Sequence, residues 1–325
     1  MKRLAVFFVF LLLGLVLFFW ALKNAGLAGI AAILSRFSFS QGLAIFCLTL
    51  LSFAVENWKW QLVLKSQGVR LSFLKLVPIH CASFGVNYLA PMLLAGGEVS
   101  RGYFLNSKYN VPWTKGVSSV VISRVLSWTV NLIVIFFGLY LFFSRFSFFP
   151  KNIMLFLGGG LAVFTAVIVI FHFYSFRSSK NEKSFLRFLP LISRRREQGG
   201  KVSARAFETE KEVFAFFKAG NVFFWQAVAV SLAKTAVIIL RAWVLIGFLG
   251  QWLSPLTVAS LVGFSLLTAL IPIPANLGSQ EAVQTVVFNV LGLGAGTGAV
   301  FAIIIRAAEL ALAFIGVLFV LKLGV

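Results

Sequence analysis

The chain has 325 residues, 60% of them hydrophobic and 12% charged, and its 29 Lys and Arg face 9 acids, all Glu, for a formal net charge of +20. Soluble domains carry about 25% charged residues, so this composition excludes a soluble globular enzyme, a disordered chain and a nucleic-acid-binding domain. With 38 Phe and a mean hydropathy of +0.97, it reads as an all-α polytopic membrane protein, one transmembrane domain over 1–325.

The first element is the uninterrupted apolar run 4–22, preceded by Lys2 and Arg3. Its length, about 28 Å at about 1.5 Å per residue, is that of one bilayer crossing. It is too long for a signal-peptide core and lacks a small-residue cleavage end, so it is read as a first span with a cytoplasmic N-terminus. Further apolar runs follow at 41–64, 116–143, 153–174, 221–249 and 296–322. Gly158, Gly159 and Gly160 inside one of them suggest close helix packing. Cys47 and Cys81 read as buried small hydrophobes rather than a disulfide or a metal pair.

Two regions between these runs are broken. One is 73–110, interrupted by Pro78, Pro91, Gly96 and Gly97; the other is 256–294, interrupted by Pro272, Pro274 and Gly278. Non-helical backbone at membrane depth survives only against protein or a water-filled cavity. Both regions are therefore expected to be broken or re-entrant helical hairpins.

Orientation follows from the basic residues. Segment 175–220 holds 11 Lys and Arg against 5 Glu, and Lys59, Lys65, Arg70, Lys75, Lys108 and Lys115 fall on the same side. This predicts a multi-pass protein of the plasma (inner) membrane with both termini and the basic loop cytoplasmic, the loop touching anionic headgroups. Within it, 202–219 places Phe207, Phe214 and Phe217 at helical spacing between charges, as in a helix lying on the inner leaflet.

The chain also repeats itself. Trp60 and Trp243, Pro91 and Pro274, and Glu98 and Glu281 are each 183 residues apart; Gly116 and Gly298, and Arg124 and Arg306, are 182 apart. The expected duplication joins 41–143 to 224–323, and the orientation makes the two repeats inverted. Inverted repeats with interrupted helices are a transporter pattern, with the site near the midplane where the breaks meet.

A charge at a helix centre costs about 2.5–3.5 kcal/mol on insertion scales. Eight charges nevertheless fall within the predicted membrane segments: Glu98, Arg101, Arg124, Lys234, Arg241, Glu281, Arg306 and Glu309, with a formal sum of +2. They are expected to line a polar cavity between the repeats. The surplus suits a phosphate headgroup, because a guanidinium fork holds two phosphate oxygens. Inter-repeat ion pairing is the other reading of the same residues. His80, Asn87 and Asn276 near the breaks read as hydrogen-bonding groups for freed backbone. No catalytic signature, metal site or cofactor motif stands out.

The stretches LAPMLLAGGEVSRGYFL (89–105), SSVVISRVLSW around Arg124 and IPIPANLGSQEAV (271–283) resemble the lysylphosphatidylglycerol synthase transmembrane region family, from the second span to the end. The resemblance implies a flippase-like domain related to the flippase half of multiple peptide resistance factors, which move charged phospholipids between leaflets. Family members often carry acidic residues on either side of the arginine matched by Arg124; this chain has Ser123 and Ser127. No stretch matches the aminoacyl-transferase domain of the full-length synthases, so lipid aminoacylation is not implied. The expected function is a lipid flippase or transporter for an anionic phospholipid or a polyprenyl-phosphate-linked lipid, with no nucleic-acid partner and a homo-oligomer left open. The alternative is a membrane enzyme or accessory factor in lipid-linked glycan or glycolipid synthesis.

Overall fold

The computed structural model describes residues 2–89, 96–145, 151–177, 201–218, 220–269 and 273–323. Among these it has twelve α-helices, one 3-10 turn and no strand. In chain order they are α1 (Lys2–Ala25), α2 (Leu27–Leu34), α3 (Phe39–Ser66), α4 (Phe73–Leu89), α5 (Gly96–Tyr109), α6 (Trp113–Arg145), α7 (Lys151–Arg177), α8 (Lys201–Phe216), α9 (Val222–Phe248), α10 (Pro255–Thr268), the turn Pro274–Asn276, α11 (Ser279–Val290) and α12 (Ala295–Leu323). Among the described residues, five stretches are long and apolar enough to cross a membrane: Phe7–Ala25, Phe39–Ser66, Trp113–Phe143, Val222–Phe248 and Ala295–Leu323. Apolar side chains at helical spacing face outward on α1 (Val9, Leu12, Val16) and α7 (Val163, Val167, Ile170), as in a multi-pass membrane protein.

Local signals set the helix starts. Ser38 caps α3 and exchanges hydrogen bonds with Gln41; Ser254 caps α10, whose first residue is Pro255; Asn221 caps α9. In each case a side-chain oxygen accepts from an amide that the first turn leaves unpaired.

Two groups of elements share one order, a long helix, two short ones and a long one: α3 to α6, and α9 to α12. Their packing interchanges as well. The two first helices, α3 and α9, pack on each other, α4 packs on α12, and α10 packs on α6. Glycines make the last two contacts close. A Cβ on Gly85 would sit 2.7 Å from the Ala313 carbonyl, and one on Gly316 would strike the Cys81 carbonyl oxygen. A Cβ on Gly138 would sit 3.1 Å from the Ser260 Cα, and one on Gly263 3.1 Å from the Val134 carbonyl. Gly85 and Gly263, and Gly138 and Gly316, are each 178 residues apart. Along the α3–α9 contact Thr49 meets Arg241 and Glu56 meets Lys234. Numbers rise on one helix as they fall on the other, so α3 and α9 are antiparallel.

Several expectations change. Pro78 does not break the first hairpin: α4 runs through it from Phe73 to Leu89. α4 is described to Leu89 and α5 from Gly96, and Pro91 lies outside the described residues, as do Pro272 and most of the basic loop. Cys47 is exposed rather than buried, whereas Cys81 is buried, and both thiols are free. A Cβ on Gly158, Gly159 or Gly160 would meet nothing within 4 Å, so no described helix packs there. The Phe-bearing helix predicted in 202–219 exists as α8, yet much of its apolar face is spent on protein. Val213, Phe216 and Phe217 are buried with Val63, Ile122, Leu126 and Phe224, and Phe214 stacks on Phe171 of α7 at 5.7 Å.

The second break is tightly held. Ala275 and Asn276 have φ of 53° and 50°, in the left-handed region that costs a side-chain-bearing residue of order 1–3 kcal/mol. Gly278 follows with φ 77°, and a Cβ there would strike the Gly14 carbonyl of α1. The N-terminal helix is thus fitted against the break, and it also packs on α11 and α12.

Candidate functional site: a basic cavity between the two halves

A cavity of about 570 Å³ opens where α3, α4, α5, α6 and α9 meet the second break. Asn87 and Tyr88, in the last turn of α4, and Ile273, Ala275 and Asn276, around the 3-10 turn, line it together. The end of the first hairpin helix and the second break therefore share one space.

Of the eight ionisable residues singled out from sequence, Arg101, Arg124 and Lys234 line this cavity. Arg101 comes from α5 and lies over the Trp60 ring, 5.1 Å from its centroid, a contact that favours a cation. Trp60 is fully buried and fixed by its indole N–H donating to Ser119 Oγ at 3.0 Å. Arg124 comes from α6 and Lys234 from α9. Gly96 and Gly97 open α5, whereas the Glu98 side chain lies outside the described residues.

Two further pairs stand apart from the lining. Glu281 is fully buried. Its Oε2 accepts from the Gly278 backbone N–H at 2.8 Å, and Oε1 lies 2.8 Å from Arg306 Nη1, off the N–H direction, so that contact is ionic rather than an aligned hydrogen bond. Arg306 also covers the Phe18 ring at 4.9 Å. This pair closes the start of α11 just after Pro274 and Gly278, beneath α1. Arg241 Nη2 lies 3.1 Å from Glu309 Oε1, and its Nη1 donates to Thr49 Oγ1 at 3.0 Å. The seven described charges thus divide among three places instead of ringing one.

The sequence reading missed Glu56. This carboxylate lines the cavity and holds two lysines, Lys59 at 2.7 Å and Lys234 at 2.9 Å. Lys59 is not a loop charge: it is 1% exposed, and its Nζ also donates to the Ser123 carbonyl at 3.2 Å and to Ser127 Oγ at 2.5 Å. The signal was present, because Glu56 and Lys59 are three residues apart on one helix, the spacing that makes neighbours. His80, buried in α4, stacks on Phe53 at 4.2 Å beside this cluster. It is a wall of the site with Ser83, Ser123, Ser127, Asn87 and Asn131.

Residues 4–316 match the family model described as the lysylphosphatidylglycerol synthase TM region. The match includes the first helix, which the sequence reading had left outside the resemblance and which α11 and α12 contact. A UPF0104 membrane protein of Methanocaldococcus jannaschii is 22% identical over 253 residues, 76% of this chain and 74% of that protein. No solved structure matches the chain significantly. The extent of the family match, across both halves and the helix that seals the second break, places this chain in the lysylphosphatidylglycerol synthase transmembrane region family.

Proposed function

We propose that this protein moves a phosphate-bearing anionic lipid between the leaflets of the inner (plasma) membrane. The observation that carries the reading is the cavity itself. Its described charges are Arg101, Arg124 and Lys234 against Glu56, inside a bundle of membrane-length helices. Membrane proteins rarely hold such groups unless something compensates them. A phosphate does so, and an Arg fork contacts two of its oxygens at once.

The antiparallel contact of α3 and α9 supports the inverted arrangement, since corresponding helices of two inverted units oppose one another. In that arrangement both termini and the basic segment 175–220 face the cytoplasm, where Lys and Arg attract anionic headgroups. A lipid-linked synthetic role would use Glu98 and Glu281 as acid and base. Glu281 is committed to the Gly278 amide and to Arg306, which favours transport.

The test is movement of fluorescent phosphatidylglycerol in proteoliposomes holding the wild type, Arg124→Ala or Lys234→Ala. Loss of one charge-assisted contact, about 1.5–3 kcal/mol, slows movement roughly ten- to hundredfold in folded variants. Wild-type vesicles that move no labelled lipid faster than protein-free vesicles overturn the proposal.

A further inference from the structure

We infer that the cavity takes a lipid whose headgroup joins a phosphate to an uncharged polyol and turns away headgroups that carry an amine. This rests on the transport reading and names the substrate class of the same cavity.

The first argument is the state of the carboxylate. Glu56 is the one acid among the described lining residues, and both of its oxygens are in use. Oε1 takes Lys59 at 2.7 Å and Oε2 takes Lys234 at 2.9 Å. An incoming ammonium must displace a lysine. Lys59 is 1% exposed and bound by Ser123 and Ser127, so its charge has nowhere to go. Among the described residues, Lys59, Arg101 and Lys234 stand against the single carboxylate of Glu56. Uncompensated like charge in a low-dielectric space repels an amine.

The second argument is the state of the aromatic rings, the other place where an ammonium settles. Phe84 stacks on Tyr88 at 5.5 Å, and Trp60 already carries Arg101. Trp128 meets Phe164 edge to face at 5.3 Å.

The third argument is what remains of the wall. Asn87, Asn131 and Asn276 bring carboxamides, and Ser83 and Ser127 bring hydroxyls. A carboxamide offers both donors and an acceptor, so it pairs with a hydroxyl in either sense. His80 Nδ1 and Ser123 Oγ are buried polar atoms without a hydrogen-bond partner in the described chain, on side chains 1% and 3% exposed. Buried polar groups are normally satisfied, and a polyol supplies donors and acceptors together. The volume of about 570 Å³ is that of a small-molecule site, enough for a phosphopolyol headgroup with its chains left in the bilayer.

Two lipid sources share this chemistry: a glycerophospholipid with a glycerol headgroup, and a sugar linked to a polyprenyl phosphate. The experiment measures binding of four lipids to the purified full chain by native mass spectrometry, in competition. They are phosphatidylglycerol, a hexosyl polyprenyl phosphate, phosphatidylethanolamine and lysyl-phosphatidylglycerol. The last is the decisive comparator, because it keeps the phosphate and the glycerol and adds amines. One or both of the first two are expected to bind at least tenfold tighter than either amine lipid, and whichever binds names the source. Equal or tighter binding of an amine lipid, or binding of none of the four, overturns the inference. The same panel in proteoliposomes separates the two claims. Preference without movement removes transport and keeps the headgroup class; movement that favours lysyl-phosphatidylglycerol keeps transport and removes the class.

Discussion

Lys234, on the first helix of the second half, places its Nζ 2.9 Å from Oε2 of Glu56, on the first helix of the first half. The contact spans the antiparallel α3–α9 interface and sits at the edge of the basic cavity. Lys234 is 29% exposed and its partner 14%, whereas Lys59 on the other carboxylate oxygen is 1% exposed. The carboxylate is therefore held from one side by an enclosed lysine and from the other by a partly exposed one.

Removing the carboxylate strands Lys59. Glu56→Gln is expected to destabilise the detergent-solubilised protein by about 3–5 kcal/mol, the usual result of breaking a buried pair from one side. The double variant Glu56→Gln, Lys59→Met recovers part of that loss. Thermal unfolding of the three proteins checks both steps; a single variant as stable as the wild type would show that Lys59 finds another partner.

Arg306 is predicted to matter for folding before function. Arg306→Ala leaves the fully buried Glu281 carboxylate with only the Gly278 amide, and a loss of about 3–5 kcal/mol follows. Glu281→Gln, Arg306→Met restores stability without restoring charge. If that double variant moves lipid at the wild-type rate while Arg124→Ala does not, the two arginines have separate roles despite their equivalent places in the sequence.

The glycine contacts give a size test. Gly316→Ala drives a methyl into the Cys81 carbonyl at the α4–α12 contact, and overpacking of this kind costs about 1–3 kcal/mol. Gly158→Ala meets open space on α7 and is expected to be neutral or slightly stabilising. The difference in melting temperature between the two variants is the measurement; equal values would mean that α4 and α12 are not so closely fitted.

The cytoplasmic assignment of the basic segment has a direct test. In a Cys47→Ala background, which removes the exposed native thiol, Ser193→Cys is expected to react with a membrane-impermeant maleimide only after the cells are opened. Labelling in intact cells would reverse the orientation.

Much of the architecture was legible in the residues. Long apolar runs fixed the spanning helices, because a bilayer demands about 20 apolar residues per crossing. Equal spacing of Trp, Pro and Glu markers pointed to a duplication, and the groups α3 to α6 and α9 to α12 share one order of long and short helices. The tertiary structure decided which charges meet, and it did so for a physical reason. Insertion cost forces an ionisable group off the lipid face, but it does not say whether the group turns toward a cavity, a helix start or a neighbouring helix. Glu281 and Arg306 went to a helix start, Arg241 and Glu309 to a contact reaching Thr49, and Arg101, Arg124 and Lys234 to the cavity. Glu56 and Lys59 were hidden for the converse reason. Both sit in or beside an apolar run that reads as lipid-facing, and only the packing of α6 and α9 around α3 turns that stretch into the inner wall of a polar site.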